Sequence, residues 1–486
     1  MLPQSMATSA PVLTSNNALG WRTRIHPETY FPHLPVLDKM VARLKETRQA
    51  PDLRGVVFIG VQHLLKTTGS LFVSLTALGA RPENMFFAGK CYSTDPEVAN
   101  NLKAIGMHII NGTKPERLGE YMKVHNQDVK KLWQMVQEHC KTKQSVIKKI
   151  IIISDGAAII ENALPLNIDI VAVEQTRNGM YSETEQKSQF PIINVAQSGA
   201  KQLLEPVFIQ QATVNRIKPI LNNLDKDTTQ IGVVGYGAIG KALVQYFLAA
   251  GYKILVYDRD PNSMNDISGN DRRLLKAPDI GYLMIHSHYI FGCAGQDITK
   301  EINLLQINGK DRVFYSLSSA DTEMHDLLVK AQKLLDAGGS AAIEVDTLGD
   351  IAIKTDKGNR IFIKKGGFPI NFDRAQTPDE EEKFSLTRGL LLGGILQAIK
   401  LPLNNVNTSS ANIMLDPDTQ RYVVNIWQTS LNEFKNDPQI QQLPISQFND
   451  TQWIAQHSAG TPSPANSHNP FSSLPCASKS KAYAKL

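Results

Sequence analysis

Apolar residues recur at two spacings along this chain, and stretches of one spacing alternate with stretches of the other. Val36 to Leu44 repeats apolar residues at helical spacing, and Gly55-Val56-Val57-Phe58-Ile59-Gly60 then reads as a buried strand. A helix from Leu64 to Leu78, a strand from Asn84 to Ala88, a helix from Val98 to Ile105 and a strand from Met107 to Asn111 follow. Beyond a helix around Val129 to His139, Lys149 to Ser154 is apolar enough to be buried on both faces. This alternation predicts an α/β unit with a parallel sheet over residues 34–197.

A second α/β unit is expected over 210–372. Its first strand opens at Gln230, and it ends in a hairpin, Ile351–Lys354 and Arg360–Ile363, around Asp356-Lys357-Gly358-Asn359. Residues 380–454 read as helical, with one helix from about Glu380 to Ile399 and a further helical segment between about Ala411 and Leu431. Residues 1–33 form an N-terminal extension. From 455 to 486 the chain turns to Ser, Pro, Ala, Asn and Lys with no apolar period, which predicts a disordered tail.

Composition narrows the function. At ~100–200 residues per domain, 486 residues leave room for several domains. Hydrophobic residues make up 42% and charged residues 20%, and the longest apolar runs fall far short of the ~20 residues that span a bilayer, so a membrane protein is not expected. The charge balance of 51 − 46 = +5 is scattered along the chain, and nucleic acid is not an expected partner. Cys91, Cys140, Cys293 and Cys476 form no C-x-x-C pair, so neither a metal site nor a disulfide framework is indicated. The first twenty residues carry no basic segment followed by an apolar one, and the cytoplasm is the expected compartment.

The strongest motif is the strand Ile231-Gly232-Val233-Val234 followed by Gly235-Tyr236-Gly237-Ala238-Ile239-Gly240, a helical run, and a second strand, Lys253 to Tyr257, ending at Asp258. Gly235 would make the tight turn, Gly237 would let the backbone approach a pyrophosphate, and Gly240 would bring helix and strand together. Free N–H groups at the helix start, around Ala238 and Ile239, would meet the phosphates. Asp258 can accept hydrogen bonds from a ribose diol and would repel a 2′-phosphate. Arg259 beside it argues the other way, but the acid holds the strand end, so NAD is expected over NADP.

With this loop in view, the chain resembles the S-adenosylhomocysteine hydrolases. The likeness rests on Gly235-Tyr236-Gly237-x-x-Gly240-Lys241, preceded by Phe190-Pro191-x-Ile193-Asn194-Val195. Further matches in the same order are Gly60-x-x-His63-Leu64, Tyr92-Ser93-Thr94, Ser154-Asp155-Gly156, Glu174-Gln175-Thr176, Gly295-x-Asp297-Ile298 and Asn371.

The resemblance implies a Rossmann-type NAD-binding domain inserted into a two-piece α/β substrate domain, which 380–454 completes. It implies tightly held NAD, one-carbon metabolism, a dimer or tetramer, and transient oxidation of a nucleoside-like substrate before elimination and hydrolysis. The family's catalytic lysine falls on Lys201 and its following aspartate on Glu205. Its strand-end aspartate falls on Asp155 and its first-motif histidine on His63. Thr176, Asn178 and Asn371 fall where the family lines its cofactor.

This chain departs from that family at Gln175, where the family has a carboxylate, at Pro206, where it has an asparagine, and at Ser318-Ser319-Ala320-Asp321, where a histidine is lost. The cofactor half therefore matches better than the substrate half. A non-catalytic regulator that holds NAD and presents a surface to a protein partner is the alternative expectation.

Overall fold

The computed structural model describes residues 30–143, 146–177, 179–180, 190–267, 269–306, 309–338, 342–372, 381–401, 412–431, 438–461 and 471. Two sheets organise them. The first has seven strands in the order β15-β6-β5-β4-β1-β2-β3, every pairing parallel. Its strands are β1 (Val56–Gln62), β2 (Met85–Gly89), β3 (His108–Ile110), β4 (Lys149–Ser154), β5 (Asp169–Glu174), β6 (Ile192–Asn194) and β15 (Asn412–Met414). The alternation of β4 explains its composition: Ile151 and Ile153 enter one core and Ile150 and Ile152 the other, all fully buried.

One face of this sheet carries α1 (Pro35–Glu46), α2 (Lys66–Ala77) and α3 (Pro96–Ala104), together with α10 (Glu381–Lys400) and α11 (Pro417–Ser430). The long helix α4 (Tyr121–Thr142) covers the other face.

The second sheet has eight strands in the order β12-β13-β14-β11-β10-β7-β8-β9. They are β7 (Gln230–Val234), β8 (Lys253–Tyr257), β9 (Leu274–Lys276), β10 (Tyr289–Gly292), β11 (Arg312–Ser316), β12 (Ala342–Val345), β13 (Ile351–Lys354) and β14 (Arg360–Ile363). β13 and β14 pair antiparallel from Ile351↔Ile363 to Lys354↔Arg360, which is the expected hairpin. Helices α7 (Ala238–Ala249), α8 (Ile280–His286) and α9 (His325–Asp336) cover the two faces. The α/β class holds, with a Rossmann-type domain set between two parts of a parallel-sheet unit.

The crossing between the units is built from α5 (Gly199–Leu204) and α6 (Pro206–Leu221). Pro206 suits the first turn of α6, where its missing N–H would have had no helical partner. Phe208 of α6 packs in the first core against Trp427, while Val214, Ile217 and Leu221 pack in the second. One helix is thus anchored in both cores. The return crossing, 373–380, lies outside the described residues. A second seam joins the units elsewhere: Tyr92 stacks on Phe368 at 4.5 Å, and the N–H of Leu118 donates to Gln332 Oε1 at 2.8 Å.

Two expectations need correction. Asn412–Met414 is a strand, not helix, because it extends the sheet edge beside Ile192–Asn194, and three residues are too few to show a period. Thr461 bridges to Ile413, and Phe471 is buried against Tyr422, so parts of the segment expected to be a disordered tail find partners. At the other end of the chain, Phe31 of the expected N-terminal extension is buried against Gly69. Among the described residues, no helix is long and apolar enough to cross a membrane.

Helix α10 is the buried centre of the first unit, and three glycines set its approach. A Cβ at Gly389 would lie 2.3 Å from Val36 Cγ1, one at Gly393 2.5 Å from Thr419 Cγ2, and one at Gly394 2.7 Å from Val195 Cγ2. Glycine ordinarily costs a helix ~1 kcal/mol relative to alanine. Here Gly389→Ala is expected to destabilise the protein by ~1–3 kcal/mol, because the added methyl strikes a short, stiff side chain. Urea denaturation checks the sign, and a gain in stability would show that the contact yields.

Candidate active site

Both sheets turn the carboxyl ends of their strands toward one cleft of about 1560 Å³, lined from both sides. In open parallel sheets, ligands collect at such ends, where the strand order reverses. β7 and β10 flank the reversal in the second sheet, and β1 and β4 in the first.

On the cofactor side, the glycine turn follows β7. Gly235 has φ +96°, and a Cβ there would lie 2.6 Å from the backbone of Cys293, so both conformation and space call for glycine. At Gly240 a Cβ would lie 2.0 Å from the carbonyl oxygen of Gly235, which is the expected close approach of helix to turn.

Gly237 differs. A Cβ there meets nothing within 4 Å, so no protein neighbour demands glycine, and a side chain would project into open cleft. That is the space a pyrophosphate needs, beside the start of α7, which has no side-chain cap.

Asp258 lies at the end of β8, its Oδ2 accepting from the N–H of Tyr236 at 2.6 Å and its Oδ1 from that of Asp260 at 2.9 Å. It lines the cleft with Ala238, Ile239 and Asn371, and Oδ1 of Asn371 is a buried acceptor without a partner among the described residues. Thr176 also lines the cleft, but its hydroxyl donates to Glu174 at 2.7 Å. Asn178 lies outside the described residues. The residues present fit a dinucleotide.

On the other side, Lys201 of α5 places Nζ 2.7 and 2.5 Å from the two oxygens of Glu205, one helical turn on. Thr387 of α10 donates to Glu205 Oε1 at 2.7 Å. The two side chains are 13% and 14% exposed and face the cleft, so this is not a solvated helix ion pair.

Asp155, just beyond β4, receives Lys90 Nζ at 2.5 Å on Oδ1 and a hydrogen bond from Gln175 Nε2 on Oδ2. Burial opposes its charge, but the Lys90 ammonium and His63 outweigh that and hold the carboxyl well below the usual range. Burial likewise opposes the charge on Lys90, and Asp155 holds its pKa above the ordinary value.

His63 follows β1. Its Nδ1 is 2.6 Å from Ser93 Oγ and its Nε2 3.5 Å from Asp155, and its ring stacks on Phe372 at 3.9 Å. Burial pushes the imidazole down to about 3 against the pull of Asp155, so it is neutral at pH 7.

The four expected catalytic residues thus meet in two clusters of one cleft. Lys90 and Arg388 were not anticipated. Each leaves a sequence signal: Lys90 is a charge set directly after the apolar strand Met85–Gly89, and Arg388 is the lone charge between Phe384 and Ile399.

Residues 230–306 match the model of the NAD binding domain of 6-phosphogluconate dehydrogenase. The chain is 24% identical over 351 residues to an uncharacterized protein of Mycobacterium tuberculosis, covering 71% of this chain and 65% of that protein. It therefore spans just under two thirds of that relative's length. Over 55 residues, 11% of this chain and 17% of the other, it is 36% identical to probable 3-hydroxyisobutyrate dehydrogenase-like 3, mitochondrial, of Arabidopsis thaliana. A solved structure of a putative D-3-phosphoglycerate dehydrogenase from Ralstonia solanacearum aligns with a TM-score of 0.33 at 12% identity, covering 73% of this chain and 96% of that one.

The class is an α/β protein with a dehydrogenase-like NAD(P)-binding domain, and NAD(P) is its cofactor. The resemblance to the S-adenosylhomocysteine hydrolases is not upheld: the glycine-turn segment on which it rested matches the NAD binding domain of 6-phosphogluconate dehydrogenase over residues 230–306, and the named sequence relative is dehydrogenase-like. With it go hydrolase chemistry, the nucleoside-like substrate and one-carbon metabolism. The physical reason is that the glycine turn, the segment that carried most of the likeness, answers to a pyrophosphate that many families bind, so it does not choose between them.

Gly237→Val is expected to keep its thermal stability and lose NAD binding, whereas Gly240→Val disturbs the fold itself. Calorimetry beside a thermal melt separates the two. The same titration is expected to favour NAD over NADP by about tenfold or more through Asp258, and equal affinities would remove that role.

Proposed function

We propose that the protein is an NAD-dependent oxidoreductase that oxidises the hydroxyl of a small polar substrate held between its two sheets. The observation that carries this reading is that the Lys201–Glu205 pair faces the same cleft as the open space over Gly237. When bound, NAD supplies the hydride acceptor. Gly235, Gly237, Ala238 and Ile239 cradle its pyrophosphate, Gly240 lets the helix approach, Asp258 takes the ribose, and Asn371 offers its unpartnered oxygen.

Lys201 and Glu205 handle the proton. Two donor positions of the ammonium are spent on Glu205, and the third is free for the substrate oxygen. Lys201 first hands one proton to Glu205, and the amine lone pair this frees takes the hydroxyl proton as the hydride leaves, so the pair gains one proton. Thr387 keeps the receiving carboxylate in place. His63 and Asp155 position the substrate. Both ring nitrogens of the neutral imidazole are engaged, by Ser93 and toward Asp155, which suits orientation better than proton transfer.

The test loads the protein with NAD, adds a panel of hydroxy acids and polyols, and follows the absorbance of reduced nicotinamide. Lys201→Met is expected to slow reduction by ~10²–10⁴-fold while leaving NAD affinity unchanged. A protein that binds NAD but reduces it with no compound of the panel, or a variant as fast as the parent, would overturn the reading.

A further inference from the structure

The cleft contains a buried cation that makes no ion pair among the described residues. Arg388 is 7% exposed and lines the cleft beside Thr67, whose hydroxyl accepts its Nε–H at 3.4 Å. Among the described residues that long bond is its one hydrogen bond, and no carboxylate lies within ion-pair distance of it. Asp155 and Glu205 both act on its charge, but each is spent on a lysine, Lys90 and Lys201 respectively. Burial lowers its pKa to about 10, far above neutrality, so the guanidinium stays charged.

A buried charge costs several kcal/mol unless it is paired and hydrogen-bonded. A fork of N–H donors facing a cleft is the geometry that carboxylates and phosphates fill bidentately. A second group of the same cleft is also unspent: Gln175, 6% exposed, donates to Asp155 through Nε2, while its Oε1 is buried with no partner among the described residues. The cleft thus presents a cation and an acceptor, Arg388 acted on by the charge of Asp155 and Gln175 hydrogen-bonded to it.

Resting on the oxidoreductase reading above, we propose that the substrate is an anion, a carboxylate or phosphate that Arg388 grips, carrying a second donor group that meets Oε1 of Gln175. The anion completes the charge balance that the protein leaves open. Its attachment to α10 also holds the substrate at a fixed distance from Thr387 and hence from Glu205, one residue before the grip.

Calorimetry on the NAD-loaded protein tests this with three probes: glycolate, inorganic phosphate and ethylene glycol. Glycolate or phosphate is expected to bind, the preferred one identifying the anion, and ethylene glycol is not. Arg388→Gln is expected to weaken the bound anion by about 10- to 100-fold. Arg388→Lys retains part of the affinity, and NAD affinity is unchanged in both variants, which shows that each is folded. Failure of both anions to bind, or equal binding to Arg388→Gln, would overturn the proposal. Anion binding through Arg388 without any nicotinamide reduction would sink the oxidoreductase reading and leave the anion site standing. Reduction by neutral polyols at a rate indifferent to Arg388 would do the reverse.

Discussion

The close approach of α10 to its neighbours is the constraint on which the rest of the molecule depends. This helix reaches the first unit only after the chain has left through α6 and built the whole second sheet, yet it lies at the centre of the first core. Gly389, Gly393 and Gly394 let α1, α11 and the sheet come closer than any side chain would allow. At its amino-terminal end α10 delivers Thr387 to Glu205 and Arg388 to Thr67. The site is therefore assembled from segments 182 and 321 residues apart, and it exists only when the helix is fully seated. A shift of one ångström in α10 would reach Glu205 directly, because nothing compressible lies between.

Two buried glutamates give the cleft walls the same kind of rigidity. Glu174 accepts from the hydroxyl of Ser154, the N–H groups of Gly156 and Ala157, and both the N–H and hydroxyl of Thr176. Glu323 accepts from the N–H groups of Ala294 and Gly295 and the hydroxyls of Ser316 and Ser318. Each carboxylate ties together loops that follow neighbouring strands, one on each side of the cleft. Burial raises both pKa values, and hydrogen bonds to the charged form work against it. The room is again made by glycine, since a Cβ at Gly179 or Gly292 would strike the carboxylate. Loops fixed in this way hold Asp155, Gln175 and the glycine turn still without help from a ligand.

What was legible in the sequence follows from how local each signal is. The strands of the first sheet and the β13–β14 hairpin could be read because their apolar pattern lies within a few residues. The glycine turn could be read because two of its glycines answer demands set within the turn, the positive φ of Gly235 and the approach of Gly240 to the Gly235 carbonyl. The strand Asn412–Met414 could not, because its identity comes from pairing with Ile192–Asn194, more than two hundred residues away. Lys90 is of the same kind: its charge makes sense only beside Asp155, sixty-five positions on. The family resemblance went wrong at the same boundary. It rested on short motifs in order along the chain, but short motifs report strand ends and phosphate turns, and these are shared by proteins of quite different chemistry.

Unsatisfied groups are where a sequence departs from its own folding logic, and their placement carries information. Tyr30, Ser287, Thr355 and Trp427 each leave one buried polar atom without a partner, and they are scattered through the two units. Gln175 and Asn371 leave theirs at one cleft, together with the guanidinium of Arg388. Each such atom costs ~1–3 kcal/mol of desolvation that folding alone does not recover. Two such atoms and the buried charge of Arg388 around one space this large are the arrangement expected when the missing partners belong to ligands, one for the cofactor and one for the substrate. The stability they forfeit is offset in the same unit by the dense packing around α10, which is how a fold can hold an incomplete polar site open without collapsing onto it.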